Sequence, residues 1–354
     1  MRNAIWIYRL FDVAEEIKLD VVERILSHNR QTSRMILSRI RPKSIRFKNP
    51  PVAVELGEHP VSTGSRRFSA LFTAKVYDLG VIAIIMRIPL PDGAGYGEIR
   101  KLAVELYNSE DIEPYFLQRL DEIRKALSGA LIKEEYSGFV EDFTIYYFRD
   151  WHEDWDAVPL LLAEDEPVSP EVRRETLRHS FSYGPGDLAV ITWDSALVYD
   201  TTGSADIPDL LEFANSQLLE LRYYDSLLSG EMEKMYDAIE KAEHTSVFKQ
   251  LNQYRRIMNQ LMELIVDITE ITERIDNSLK VTEDVFYARI YGAALSIFRT
   301  RAWAESIDRK ISIITQSYTM LSNRLINRRS ELLEVSIVLL ILLELVLGIV
   351  GIMK

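Results

Sequence analysis

The chain of 354 residues contains no cysteine. This absence excludes disulfide bonds, thiolate nucleophiles, iron–sulfur clusters and cysteine-ligated zinc sites. Histidine is also scarce: the five histidines are scattered, and no His-Glu-x-x-His motif or nucleophile elbow is present. The sequence therefore predicts a protein that is not an enzyme and that needs no cofactor.

Positive charge is in deficit, because the formal net charge is −12, and this argues against nucleic-acid binding by the protein as a whole. The exception is the stretch 30–48, which has no acidic residue and seven basic ones: Arg30, Arg34, Arg39, Arg41, Lys43, Arg46 and Lys48. Solvent-exposed strand faces are the favoured interpretation. A surface for anionic lipid or an acidic partner comes second. RNA binding comes last, because only Phe47 is available for base stacking.

The C-terminus holds one long apolar run, residues 335–353, in which Glu344 is the only charged residue. A membrane-spanning helix needs about 20 apolar residues, so the run predicts a transmembrane tail anchor over residues 333–354. Arg324, Arg328 and Arg329 precede it, which by the positive-inside rule predicts a cytoplasmic N-terminus. The predicted location is a bacterial inner membrane or its equivalent. The alternatives are a buried core helix or an apolar oligomer seam.

Between residues 204 and 332, apolar positions recur at alternating spacings of four and three. This repeat is typical of a coiled-coil seam. Short polar breaks at 244–246 and 280–282 favour antiparallel neighbours, so the pattern predicts an antiparallel three-helix stalk. Asp225 takes a seam position, where a polar residue usually fixes register or oligomer state.

Residues 1–203 lack this repeat and contain short β-rich runs, including a hairpin around Asp78-Leu79-Gly80. Helical segments separate some of these runs. The predicted fold class is therefore α+β, with three parts: an N-terminal mixed α/β cytoplasmic head (1–203), the coiled-coil stalk (204–332) and a single C-terminal transmembrane helix (333–354).

Two loops of the head carry candidate chemistry. The first contains Gly93, Gly95 and Gly97 between a strand and a helix, a context that can hold a phosphate. Glu98 stands where the dinucleotide fingerprint requires glycine, so a plain strand-to-helix connection is favoured. The second loop gathers four potential metal ligands, and since neighbouring side chains diverge, a solvated acidic loop is favoured there: His152, Glu153, Asp154 and Asp156.

Glu344 lies near the middle of the apolar run, and acidic residues within a membrane normally face a partner helix. No basic residue of the run can pair with it, so the position predicts association with another chain, with a proton shared between two copies as one arrangement. Gly348 allows a neighbouring helix to approach closely.

The C-terminal third resembles the membrane-anchored family named for being required for meiotic nuclear division. The similarity lies in Leu333-Glu334, the apolar run and Glu344, and in the upstream segment Leu321-Ser322-Asn323-Arg324-Leu325. Val335 stands where that family often has tryptophan. The resemblance implies an α+β head, a helical stalk, a C-terminal anchor and oligomers, and it implies no catalytic residues.

The predicted function is a non-enzymatic, tail-anchored membrane scaffold. It would self-associate through its coiled coil and its transmembrane helix, with Glu334, Glu344, Gly348 and Asp225 as the oligomerisation residues, and present its head to an unidentified protein partner. One alternative is a membrane-tethered nucleotide- or phosphate-binding enzyme or sensor that uses the 93–97 loop. Another is a head that binds RNA or anionic lipid through the basic stretch.

Overall fold

A computed structural model describes residues 3–26, 32–34, 49–64, 66–134, 136–243, 247–278 and 284–352. The chain divides into two compact units. The first, which we call the sheet unit, comprises Met1–Tyr223 and Thr272–Trp303. The second, the helical unit, comprises Tyr224–Ile271 and Ala304–Lys354.

The described part of the sheet unit contains eleven strands. They are β1 (Ala4–Asp12), β2 (Ala14–Ile17), β3 (Thr32–Arg34), β4 (Val52–Thr63), β5 (Arg66–Val76), β6 (Val81–Pro89), β7 (Leu131–Glu134), β8 (Val140–Phe148), β9 (Ser180–Phe181), β10 (Asp187–Ile191) and β11 (Ser195–Asp200). Nine of these strands form one sheet in the order β3-β4-β5-β6-β1-β8-β11-β10-β9, and β2 pairs with β7 separately. All neighbours in the large sheet are antiparallel except β8 and β11.

The described helices are α1 (Leu19–Leu26), α2 (Tyr96–Tyr107), α3 (Glu113–Leu127), α4 (Ala157–Leu161), α5 (Pro170–Thr176), α6 (Asp206–Glu243), α7 (Val247–Ser278), α8 (Val285–Ile297) and α9 (Thr300–Ile352). Helices α1 to α5 and α8 belong to the sheet unit. The first half of α6 also belongs to it, whereas the second half of α6, most of α7 and nearly all of α9 belong to the helical unit.

Both faces of the large sheet are covered, and β1 shows why. Successive side chains of a strand point to opposite faces. Ile5 and Ile7 pack with α1, α2, α3 and α4 on one face, whereas Trp6 and Tyr8 pack with α6 and α8 on the other. A strand that is buried on both faces has no alternation of apolar and polar residues. β1 therefore lies between two layers of helices.

The turn between β5 and β6 confirms the predicted hairpin. Gly80 has a φ of +95°, and a Cβ atom at this position would lie 1.8 Å from the carbonyl oxygen of Ala14. Only glycine adopts such a conformation readily, and only glycine lets the two backbone segments approach so closely. The identity of this residue therefore determines how the turn packs against β2.

The predicted third stalk helix is interrupted, which corrects the three-helix stalk. α8 ends at Ile297 and α9 begins at Thr300, with Arg299 at a φ of +53° between them. Ile290 and Ala294 of α8 are fully buried in the core on the α6 face of the sheet. A seam periodicity shows only that a helix packs along one side, and it does not say what covers that side. For α8, the covering elements include the sheet.

The helical unit retains the predicted seven-residue spacing in its core. Ile307, Ile314 and Leu321 of α9 are fully buried. On α7 the corresponding residues are Tyr254, Leu261 and Ile268, which are exposed by 3% or less. Residues seven apart lie on the same side of a helix, so each of these helices presents one apolar stripe to the core of the unit.

The structure overturns the predicted membrane anchor. Among the described residues, no helix combines the length and the apolar character that crossing a membrane requires. The predictions of a C-terminal transmembrane helix and of a single-pass membrane location are therefore wrong.

Candidate functional site

A buried ionic cluster lies between the sheet and α6. Lys75 of β5 places its Nζ atom 2.7 Å from Oδ1 of Asp209 and 2.6 Å from Oε2 of Glu212. The hydroxyl of Tyr77 donates a hydrogen bond of 2.8 Å to the other oxygen of Glu212. Asp209 and Glu212 are three residues apart, so both reach the same strand from one side of α6. The cluster joins the helix to the sheet through charge-assisted hydrogen bonds.

Two opposing effects act on the pKa of Lys75. Burial lowers the pKa of Lys75, but the carboxylates of Asp209 and Glu212 outweigh it, so the pKa is raised above its ordinary value. The side chains of Lys75 and Glu212 are only 5% and 0% exposed. Both side chains are therefore shielded from solvent, and their bonds connect α6 to the sheet.

Two tyrosines of α8 extend these contacts along α6. The hydroxyl of Tyr287 donates to Oδ2 of Asp206 at 2.9 Å, and the hydroxyl of Tyr291 donates to Oε1 of Gln217 at 2.6 Å. Sequence reasoning missed this polar side of α6, because the seam pattern drew attention to its leucines. The available signal was Lys75 itself, a charged residue between the apolar residues Ala74 and Val76 of β5.

The two loops that the sequence singled out separately line one cleft of 720 Å³. Asp92 and Gly93 lie in the first loop, and His152 and Trp155 lie in the second. The remaining lining residues come from the ends of neighbouring strands and from α2: Asn3, Leu90, Pro91, Ala94, Ile99, Arg149, Asp150 and Thr201. Two loops from distant parts of the chain therefore share one surface depression.

The cleft is poorly suited to a phosphate. The N-terminus of α2 is already served by Glu98, whose carboxylate accepts a hydrogen bond of 3.4 Å from the backbone N–H of Gly95. Asp92 and Asp150 add negative charge to the lining, and no other described side chain pairs with either carboxylate. The guanidinium of Arg149 donates to the carbonyl of Thr201 at 3.2 Å. An anion would therefore meet more repulsion than attraction.

The four potential metal ligands of the second loop do not converge. Asp156 caps α4 by accepting from the backbone N–H of Val158 at 3.1 Å, and it also pairs with Arg173 at 2.7 Å. Burial raises the pKa of Asp156, but the bonds from Arg173 outweigh it, so the pKa lies below its ordinary value. Across the described ranges of the chain, no three His, Asp or Glu side chains are arranged to hold a metal ion.

Asp225, predicted to occupy a seam position, lies on α6 in the helical unit. Its Oδ1 atom is 2.6 Å from Nζ of Lys310 on α9, and the Lys310 ammonium also donates to the hydroxyl of Ser229 at 2.6 Å. Both side chains of the ion pair are less than 20% exposed. A mostly buried ion pair of this kind forms in one register of the two helices only.

The C-terminal segment of α9 is a second candidate site. Eight large apolar side chains between residues 335 and 343 are each 53 to 64% exposed. Glu334 and Glu344, at the two ends of this run, are exposed as well, and Gly348 lies further along the helix. Of the predicted basic stretch, the structure describes only the backbone of β3, which includes Arg34. The side chain of Arg34 and the residues Arg39, Arg41, Lys43, Arg46 and Lys48 lie outside the described residues.

The fold defines the class of protein: one unit with a mixed sheet that is covered on both faces, and one unit of long helices. The chain belongs to the family whose model is described as Uncharacterized protein MJ0711, N-terminal domain, which matches residues 2–206. The Uncharacterized protein MJ0711 of Methanocaldococcus jannaschii is 27% identical over 254 residues, which cover 69% of this chain and 77% of the relative. No solved structure matches the chain. Neither match supports the resemblance to the meiotic nuclear division family.

Proposed function

We propose that the protein is a non-enzymatic scaffold that self-associates through the C-terminal segment of α9 and presents its sheet unit to a protein partner. The observation that carries the proposal is the exposure of the eight large apolar side chains between residues 335 and 343. A helix that is apolar on all sides is normally buried. A second copy of the chain supplies the same apolar segment and can cover it.

The size of the exposed surface supports self-association. Full burial of one such side chain contributes about 1.5–3 kcal/mol, so burial of eight that are more than half exposed contributes on the order of 10 kcal/mol from each copy, or about 20 kcal/mol from two copies. The freedom lost on association costs about 4–15 kcal/mol. Because the apolar side chains point in every direction around α9, a bundle in which each helix has two neighbours covers more of them than a pair does.

The alternatives receive less support from the described residues. A phosphate- or nucleotide-binding head would use the cleft between the two loops, where Glu98 occupies the N-terminus of α2 and Asp92 and Asp150 repel anions. An RNA- or anionic-lipid-binding head would depend on the basic stretch 30–48, and its side chains lie outside the described residues.

The absence of cysteine makes a cross-linking scan a direct test. A single cysteine introduced at each position from 335 to 343 is the only thiol of the protein. We expect rapid disulfide formation between copies at positions that recur every three or four residues, and slow formation at the positions in between. The reason is that only side chains pointing towards the axis of the bundle lie close to the same residue in another copy. The measurement is the rate at which the covalent dimer appears in the full-length protein under mild oxidation.

The control for this scan is Tyr236→Cys. Tyr236 is 51% exposed on α6 in the same unit, so its rate reports random collisions between copies. Rates at 335–343 that do not exceed the rate of this control would contradict the proposal.

A further inference from the structure

Three acidic residues lie where α6 passes the end of β1 and the turn between β5 and β6. Glu220 comes from α6 and is 1% exposed, and Asp12, the last residue of β1, is 3% exposed. Asp78 comes from the turn, where it accepts a hydrogen bond of 2.9 Å from the side-chain amide of Asn49. The negative charges of Asp12 and Asp78 both act on Glu220.

Glu220 lacks the partners that buried carboxylates normally have. Its Oε1 atom is buried and has no hydrogen-bond partner in the described part of the chain. The nearest cation along α6 is Arg222, two residues further on, and Arg222 pairs with Glu141 of β8. The described residues also offer no site where three His, Asp or Glu side chains hold a metal ion. A buried carboxylate without a cation is strongly destabilising, so a proton is the group that neutralises Glu220.

The direction in which the pKa of Glu220 is shifted agrees with this geometry. Burial raises the pKa of Glu220 well above its ordinary value, and the charges of Asp12 and Asp78 raise it further. Glu141, on the same face of the sheet, also has a pKa raised by burial, but its bond to Arg222 works in the opposite direction. Glu141 therefore has a cation as its partner, whereas Glu220 has none among the described residues.

We propose that Glu220 acts as a pH-operated contact that holds this part of α6 against β1 and the β5–β6 turn while it is neutral and releases it when it ionises. Within the described part of the chain, the charged groups that act on Glu220 from the packed elements are Asp12 on β1 and Asp78 in the turn, and both are acidic. Ionisation therefore places a third negative charge beside two others in a water-poor environment. The released segment is the part of α6 around Glu220, within the sheet unit.

The direction of the pH effect follows from linkage. A carboxyl group whose pKa is raised in the folded state binds a proton there that it loses in the open state. The contact is therefore strongest at low pH, and it weakens as the pH rises from the ordinary value of about 4.3 towards the raised pKa.

Hydrogen exchange of the full-length protein tests the proposal. We expect the protection of the backbone amides of residues 216–223, corrected for intrinsic exchange, to fall with increasing pH by up to about tenfold per pH unit. In Glu220→Gln, which has the same shape and cannot ionise, protection in this segment should not change with pH. Protection in α3, which lies on the other face of the sheet, serves as the internal reference.

A second variant distinguishes ionisation of Glu220 from a merely structural role. Asp78→Asn keeps a side-chain oxygen for the bond from Asn49 and removes one negative charge, so the pKa of Glu220 in the folded state falls. The loss of protection should therefore level off at a lower pH than in the wild type, and its total size should be smaller. Three results would each overturn the proposal. They are protection that does not depend on pH in the wild type, the wild-type pH trend in Glu220→Gln, and a loss of protection in Asp78→Asn that levels off at the same pH as in the wild type.

Discussion

Replacing Lys75 with methionine is expected to lower the free energy of unfolding by about 3–5 kcal/mol. Methionine fills a similar volume but leaves Asp209 and Glu212 buried beside each other without their cation. The penalty comes from the two uncompensated carboxylates, because breaking a buried ion pair costs far more than the pair itself contributes. Urea unfolding followed by circular dichroism measures the change.

The pH dependence identifies the cause of this loss. Burial raises the pKa of Glu212, and Lys75 works in the opposite direction. Without Lys75, the folded-state pKa of Glu212 should lie further above its unfolded value, so the folded protein binds a proton that the unfolded chain releases. The penalty should be smallest near pH 4 and grow as the pH rises towards 7. Adding Asp209→Asn and Glu212→Gln to Lys75→Met should restore most of the stability, since no buried charge is then left.

A surface pair provides the matched control. Lys125 and Asp121 also form a lysine–carboxylate pair, but their side chains are 74% and 59% exposed. Exposed pairs typically contribute under about 1 kcal/mol, so Lys125→Met should change stability little. Equal losses in Lys75→Met and Lys125→Met would show that the buried cluster does not hold α6 on the sheet.

Gly80→Ala is expected to destabilise the sheet unit by about 4 kcal/mol or more. The new methyl group would overlap the carbonyl oxygen of Ala14 at 1.8 Å, and the φ of +95° is unfavourable for alanine. Both the turn and β2 would have to move. Thermal unfolding measures the effect, which should be a large drop in Tm.

Gly138 separates the two causes of this effect. It has a φ of +79°, and a Cβ atom there would meet nothing within 4 Å. Gly138→Ala therefore carries only the backbone penalty, which is about 1–2 kcal/mol. A loss in Gly80→Ala no larger than the loss in Gly138→Ala would contradict the close approach of the turn to β2.

Local signals predicted local structure well. The hairpin turn of Asp78-Leu79-Gly80 is present between β5 and β6. β4 was missed, because Gly57 and Pro60 lie within it and such residues usually mark the end of a strand. In this strand a register shift between Glu55 and Gly57 accommodates the irregularity.

The partner of a helix is harder to predict than the helix itself. Leu211 and Leu218 have the spacing of a coiled-coil seam, yet both pack in the core between α6 and the sheet. Periodicity records which side of a helix is buried and contains no information on whether a helix or a sheet covers it. The break at Arg299 lacked a glycine or proline signal, so α8 and α9 appeared as one helix.

The candidate sites show the same difference between local signals, which the sequence contains, and tertiary contacts, which it does not. The loops around Gly93 and His152 were recognisable one at a time, but their meeting in one cleft depends on the order of strands in the sheet. Glu220 and Lys75 appeared as ordinary charged residues, because burial of a charge is a property of the tertiary structure. Sequence reasoning therefore finds chemical groups more readily than it finds their surroundings.

Native mass spectrometry of the full-length protein and of Glu344→Leu tests the central claim most directly. In the proposed bundle, Glu344 residues of neighbouring copies hydrogen-bond to each other within an apolar surface, so their replacement removes the contacts that fix the number of copies. We predict a homo-oligomer of defined size for the wild type and a monomer or a mixture of sizes for Glu344→Leu. A monomeric wild type, or the same oligomer in both proteins, would contradict the account.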